Sequence, residues 1–463
     1  MSRSEKLYQT VHHECAALYR FVDSVVRVCE GLSDYPVYTQ PSKEFFRYLT
    51  LLGSQTKEFL QQFPSEISKT PSVAESRRQK LVVLRASWET LHEYLKPSLE
   101  ADTLHLPIAL VIALEEEFNK IEDLDKIRFT VFHTNKLNYL EVPPDIAREM
   151  ANDIADLVNG TRFPPYLGLV GIPYSQANSF FMNCLLPHEM GHFAYQEVFE
   201  VDAATEIDDA LERMEADVGR LDNLDLALCR DTLARWLEEI FCDLFAICLI
   251  GPAFSFALIE VTGVMVLARA TTDGETDFHL FVQDHPAEVA RFAAQLRLLQ
   301  ILGWWDEIKT FDSGAIEVLE TSIRSSEHLH VQLGLPEGVT EERLLQCYEE
   351  LCNWLLEYLP KHTPVPQEHI RDFHDQSDAI CDYFRAAVVP SSVKVANQQK
   401  HPTAVVLINS AFKFYLEHLP ELIDNVEGED KQSVEARSRY AEKIELWTLK
   451  AIEDSRLLTK KLR

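Results

Sequence analysis

His188-Glu189-Met190-Gly191-His192 sets two imidazoles four residues apart with a carboxylate between them. On a helix of about 3.6 residues per turn, positions four apart stack on one face, so both rings can reach one cation. Glu189 then points about a quarter-turn away, toward a water on that cation. A zinc ion held by three protein ligands lowers the pKa of its water to about 7, and a neighbouring carboxylate can take the proton. The chemistry such a pattern serves is metal-assisted hydrolysis. Two histidines do not complete the site, so a third ligand must come from elsewhere in the chain.

The segment Trp236-Leu237-Glu238-Glu239-Ile240-Phe241-Cys242-Asp243 offers one. Glu239 and Asp243 are four apart and share a face of an otherwise apolar helix. Carboxylates flanked by Ile240, Phe241, Leu244 and Phe245 are costly to bury unless paired or metal-bound. Glu239 is therefore the expected third ligand, and Asp243 the expected acceptor for a ligand imidazole, fixing its orientation and raising its basicity. The rival ligand is Glu238, ranked second because Cys242, not an acid, stands four residues beyond it. The bland alternative is a solvated acidic stripe, natural in a chain with 74 acidic residues, but the apolar neighbours weigh against it. Downstream, His285 precedes a helix-opening Pro286, and Arg291 follows six residues after the histidine. Either could stabilise negative charge developing on a carbonyl oxygen.

Other histidines make poorer sites. His13-Glu14 has Ala17 where a second histidine is needed. His328 and His330 are two apart and would not share a helix face. His369 and His374 are five apart in an acidic helix and are expected to be exposed. Tyr174 and Tyr195 are read as packing or surface residues, and Cys242 as a small buried side chain.

His-Glu-x-x-His, then Glu239-x-x-x-Asp243, then His285-Pro286 with Arg291, resembles the gluzincin metallopeptidases, within them the CAAX-prenyl-protease and HtpX-like group and its soluble relatives. The likeness spans roughly residues 165–295. It implies one Zn2+ on His188, His192 and Glu239, with Glu189 as general base and acid. Asp243 would orient a ligand histidine, with His285 and Arg291 at the oxyanion, and the substrate would be a peptide or protein. Zincins commonly hold substrate as an added strand, and residues 167–173 are the expected edge. Two alternatives stand beside this: a dedicated regulatory protease cleaving one protein partner, and a non-catalytic helical scaffold with a vestigial zinc site. Manganese or cobalt would suit the same ligands.

The rest of the chain frames the centre. With 46% hydrophobic and 25% charged residues it has the composition of a globular protein. Only 15 glycines among 463 residues favour helices over strands. A net charge of −30 argues against nucleic-acid partners, which need clustered Lys and Arg, and disfavours anionic membranes. Nine cysteines without a Cys-x-x-Cys pair read as reduced thiols, and the first residues lack the apolar core of a signal peptide, so a cytoplasmic location is expected. The apolar stretch from Leu244 to Ile259 is broken by Gly251-Pro252 and predicts two buried helices instead of a membrane span.

The expected fold class is mainly α (α+β): a zincin-like core with a small sheet, flanked by helical modules. Residues 1–125 read as a four-helix module (5–31, 43–62, 76–96, 107–122), 126–310 as the catalytic core and 311–463 as a second helical module. Strands are expected at 129–132, 139–142 and 167–173. A helix near 144–158 lies between the last two, and one helix over 177–199 carries the motif. Further helices are placed near 203–217, 222–250, 253–270 and from 286 to about 302. Everything after Asp312 is expected to be helix with polar or proline-bearing connections.

Overall fold

Runs of Leu, Ala, Glu and Arg with few glycines favour helices, and the chain is built mainly from them. The computed structural model describes residues 3–33, 40–66, 71–100, 107–134, 144–164, 166–173, 179–218, 223–270, 278–281, 286–311, 314–326, 329–332, 341–363, 367–419, 423 and 434–462. Helices α1 (Arg3–Ser33), α2 (Gln40–Glu66), α3 (Pro71–Glu100) and α4 (Ile108–Phe118) come first. Then follow β1 (Arg128–Thr134), α5 (Pro144–Val158), β2 (Leu167–Pro173), α6 (Phe180–Asn183) and α7 (Leu186–Ala194). A short π-helical stretch, Tyr195–Phe199, joins α7 to α8 (Glu200–Val218), ahead of α9 (Asn223–Ile250) and α10 (Pro252–Ala270). The next elements are β3 (Phe278–Phe281), α11 (Glu288–Leu302), α12 (Trp304–Ile308), α13 (Gly314–Ser326), β4 (Leu329–Gln332) and α14 (Glu341–His362). The last are α15 (Gln367–Arg385), β5 (Val393–Val395), β6 (Gln398–Lys400), α16 (Ala404–Glu417) and α17 (Val434–Leu462).

The chain divides into two compact units: Met1–Ile108 with Lys126–Asn178, and Ala109–Asp125 with Ser179–Arg463. This differs from three consecutive stretches, and pairing gives the reason. β1 runs parallel to β2, with Arg128 opposite Leu167 and Thr134 opposite Pro173. Such a pair needs a crossover, which α5 supplies. The strands and α5 pack on α2 and α3, so 126–178 joins the N-terminal helices. Their shared core contains Val22, Leu52, Leu84, Trp88, Ile154 and Leu167, and the buried Trp88 indole donates to Thr56 Oγ1 at 3.2 Å. Residues after 311 form no separate module, because α13, α14 and α16 pack against α9, α10 and α11.

In the second unit α9 is the central element. From Leu237 to Ile250 it is apolar on nearly every side except at three acids, and α7, α8, α10, α11, α14 and α16 pack around it. It ends where expected. Gly251 turns with φ +70°, and Pro252 opens α10, where a missing N–H is tolerated. A Cβ at Gly251 would come within 2.9 Å of the Trp304 ring. Buried Asn409 on α16 bridges the break, its Nδ2 donating to the Ile250 carbonyl at 2.7 Å and its Oδ1 accepting from the Ala253 N–H at 2.9 Å. One side chain thus serves an orphan carbonyl of one helix end and an orphan N–H of the next. Among the described residues, no helix is long and apolar enough to cross a membrane.

Several local expectations change. The motif segment is not one helix. Ser179 caps α6, accepting from Met182 N, and Pro187 begins a new helix in its first turn. The stretch after Asp312 is not all helical: β4 pairs parallel with β3, and β5 with β6 antiparallel. In that hairpin Ala396 and Asn397 both have positive φ, the type I′ geometry that matches strand twist. The strand expected at 139–142 lies outside the described residues. Removing the Asn409 bridge should be felt in stability: Asn409→Ala orphans two buried backbone groups at about 1–3 kcal/mol each. Urea unfolding of the variant should show a loss of that order with an unchanged m-value.

Candidate metal centre

Three helices supply the site. Helix α7 carries His188, Glu189 and His192; α9 carries Glu238, Glu239 and Asp243; α11 carries Arg291. Helices α7 and α9 meet closely at Gly191: a Cβ there would lie 2.9 Å from Cys242 Cα and 3.1 Å from Cys242 Cβ. Glycine inside the motif therefore lets the two backbones approach, and Cys242 is the small buried contact expected.

His188, His192 and Glu239 come together. One ligand atom from each lies within 4.8 Å of the others, a grouping that could hold a metal ion. His188 Nε2 is 3.5 Å from Glu239 Oε2, and His192 Nε2 is 3.9 Å from Glu239 Oε1. A tetrahedral zinc site with bonds of about 2.0–2.1 Å needs edges of about 3.3–3.5 Å, so small adjustments suffice. Both imidazole rings are held by their other nitrogen. His188 Nδ1 meets Asp243 Oδ1 at 2.8 Å, and His192 Nδ1 meets Glu238 Oε1 at 2.8 Å. Each Nε2 is thereby left facing the cluster.

Two buried atoms test whether a cation fits. His188 Nε2 and Glu189 Oε1 are buried and lack a hydrogen-bond partner among the described residues. Such atoms are rare in folded proteins and call for an ion or water. The donor set of two imidazoles and a carboxylate, beside a free carboxylate oxygen, suits zinc. Phe254 on α10 stacks parallel to the His188 ring, 5° between planes with centroids 6.1 Å apart, and forms an apolar wall.

Asp243 binds more than the histidine. Arg291 donates to it from Nε at 2.7 Å and from Nη2 at 2.6 Å, and Gln295, one turn further along α11, donates at 2.9 Å. Arg291 also has its Nη1 at 3.8 Å from Glu239 Oε2. Arg291, expected at an oxyanion, gives two guanidinium nitrogens to Asp243, since a carboxylate buried in an apolar helix draws the nearest strong donor. His285 lies outside the described residues, as does Tyr174. Tyr195 opens the π-helical stretch with its ring edge-on to Phe241, a packing role.

Sequence reasoning weighed Glu238 as a ligand and missed its bond to His192. It missed Gln295 altogether, although Arg291 and Gln295 are four apart on one face. It also expected His369 to be exposed. That residue is buried, with Nε2 3.5 Å from Glu117 Oε2, while His374 is the exposed one. Set against protein-family models, curated proteins and solved structures, the chain matches none of them.

Electrostatics follow from burial and charge. Burial pushes the Glu189 carboxyl up from 4.5 to about 7, with His188 and His192 pulling against it. Burial opposes charge on His188, but Asp243 and Glu239 overcome it and raise the imidazole from 6.5 to about 10. Burial acts to raise Asp243 as well, yet the Arg291 guanidinium holds it below its ordinary 3.8. Without a metal, the folded chain therefore keeps a proton on Glu189 that the unfolded chain loses above pH 4.5. Between pH 4.5 and about 7 this term lowers stability as pH rises. Glu189→Gln, which cannot ionise, should stabilise the metal-free protein relative to wild type by an amount that grows through that window and then levels off. Thermal unfolding in chelator at a series of pH values reads the difference. A difference that stays constant with pH would remove the buried-carboxylate account.

Proposed function

We propose that this chain is a zinc-dependent peptidase of the gluzincin type, hydrolysing peptide bonds in a peptide or protein substrate. The observation that carries the reading is the buried Glu189 carboxylate, with an unpartnered Oε1, set beside the His188, His192 and Glu239 grouping. A purely structural metal site has no use for a carboxylate there. His188 and His192, through Nε2, and Glu239 would hold one ion. A bound zinc ion would supply Lewis acidity toward the scissile carbonyl and a more acidic water.

The chain's own groups do the remainder. Glu189 takes a proton from the attacking water and passes it to the leaving nitrogen, a role that favours a pKa near neutrality. Asp243 keeps His188 in the tautomer that presents Nε2, and Arg291 and Gln295 keep Asp243 ionised and fixed. His285 and Arg291 are the candidates for stabilising charge on the carbonyl oxygen. The nine cysteines are all unpaired and buried, in keeping with a reducing compartment such as the cytoplasm.

Metal analysis and peptide hydrolysis on wild type, Glu189→Gln and Glu239→Ala test this directly. Glu189→Gln should keep its zinc and lose about 10²–10⁴-fold in rate, the usual scale of a general base. Glu239→Ala should lose tight metal binding. Normal zinc affinity in Glu239→Ala would sink the third-ligand assignment. Zinc-loaded wild type inert toward a broad peptide library would favour a scaffold over an enzyme.

A further inference from the structure

The two ligand histidines are held in different ways. His188 rests on Asp243, itself tied to Arg291 and Gln295, and the His188 and Asp243 side chains are 3% and 0% exposed. His192 rests on Glu238, and those two side chains are 16% and 30% exposed. One ligand is backed by a closed, charge-balanced network; the other is backed by a carboxylate reaching the surface.

Helix geometry explains the contrast. Glu238 and Glu239 are neighbours on α9, so they point about 100° apart around its axis. Glu239 faces the ligand grouping, while Glu238 turns toward the rim, still 2.8 Å from His192 Nδ1. The tight crossing at Gly191 and Cys242 keeps α7 and α9 close enough for that bond. A carboxylate accepting from Nδ1–H fixes the tautomer and ring rotation of a histidine that binds through Nε2.

We infer that Glu238 is the positioning residue for His192, and that this partly exposed pair is the side from which the metal ion enters and leaves. The inference rests on the metal-centre reading above. When the pair opens, the His192 ring can turn outward while His188 and Glu239 stay in place, so His192 is the first ligand released. Asp243 cannot play this part, because its release would strand a buried guanidinium.

The test uses the full chain loaded with zinc, and separately with cobalt(II), as wild type, Glu238→Gln and Glu238→Ala. Zinc transfer to a chromogenic chelator gives the off-rate, and the visible cobalt spectrum reports ligand geometry. Glu238→Ala should weaken zinc binding about 10–100-fold, the usual cost of losing such a partner, chiefly through a faster off-rate. Its cobalt bands should shift, with the metal-free unfolding midpoint lowered only slightly, by the loss of one partly exposed hydrogen bond. Glu238→Gln keeps an acceptor oxygen and should restore both readouts to within a few-fold of wild type. The inference is overturned if Glu238→Ala releases zinc at the wild-type rate, or if Glu238→Gln releases it as fast as Glu238→Ala. A wild-type chain that binds neither metal takes down the centre and this inference together, which separates the two failures.

Discussion

A carboxylate with no solvent exposure governs the centre. Asp243 sits in the apolar half of α9 and meets an imidazole from α7, a guanidinium from α11 and an amide from α11. Burying a charge costs several kcal/mol, and even a well-made buried pair often does no better than apolar side chains of the same volume. Stability alone is thus a weak reason for Asp243 to be there. Orientation is the stronger one, because the same bonds that satisfy the carboxylate lock His188 with Nε2 toward Glu239.

That lock works only because α7 and α9 approach closely. Glycine in a helix interior costs about 1 kcal/mol relative to alanine. At Gly191 the alternative is a Cβ 2.9 Å from the Cys242 backbone, which would push the helices apart. Distances of 3.5 and 3.9 Å from the histidines to Glu239 would not survive a shift of that size. The π-helical stretch Tyr195–Phe199 begins three residues after His192 in the chain. Regular α-helix therefore gives way just after the motif, as π-helical stretches often do at functional sites.

Much of the architecture was legible beforehand. Helical periodicity and proline placement located α1–α5 and α8–α11 to within several residues, and β2 was expected over the residues it occupies. The Gly251-Pro252 break was read correctly because its cause is local: a positive-φ glycine and a proline lacking its N–H. What escaped depended on distant partners. The short strands β3 and β4 exist through their pairing with each other. Likewise, burial of His369 depends on Glu117, 252 positions away in sequence but adjacent in space.

The site shows the same division. By itself the sequence determined that His188 and His192 share a helix face, that Glu189 lies between them, and that Glu239 and Asp243 share another, since spacing within one helix fixes relative direction. Only the tertiary structure decided which of two adjacent glutamates turns toward the His188 and His192 Nε2 atoms and which backs one of the rings. It also brought Arg291 onto Asp243. Those choices depend on how α9 is rotated against α7 and α11, and core packing along the whole length of the helices sets that rotation.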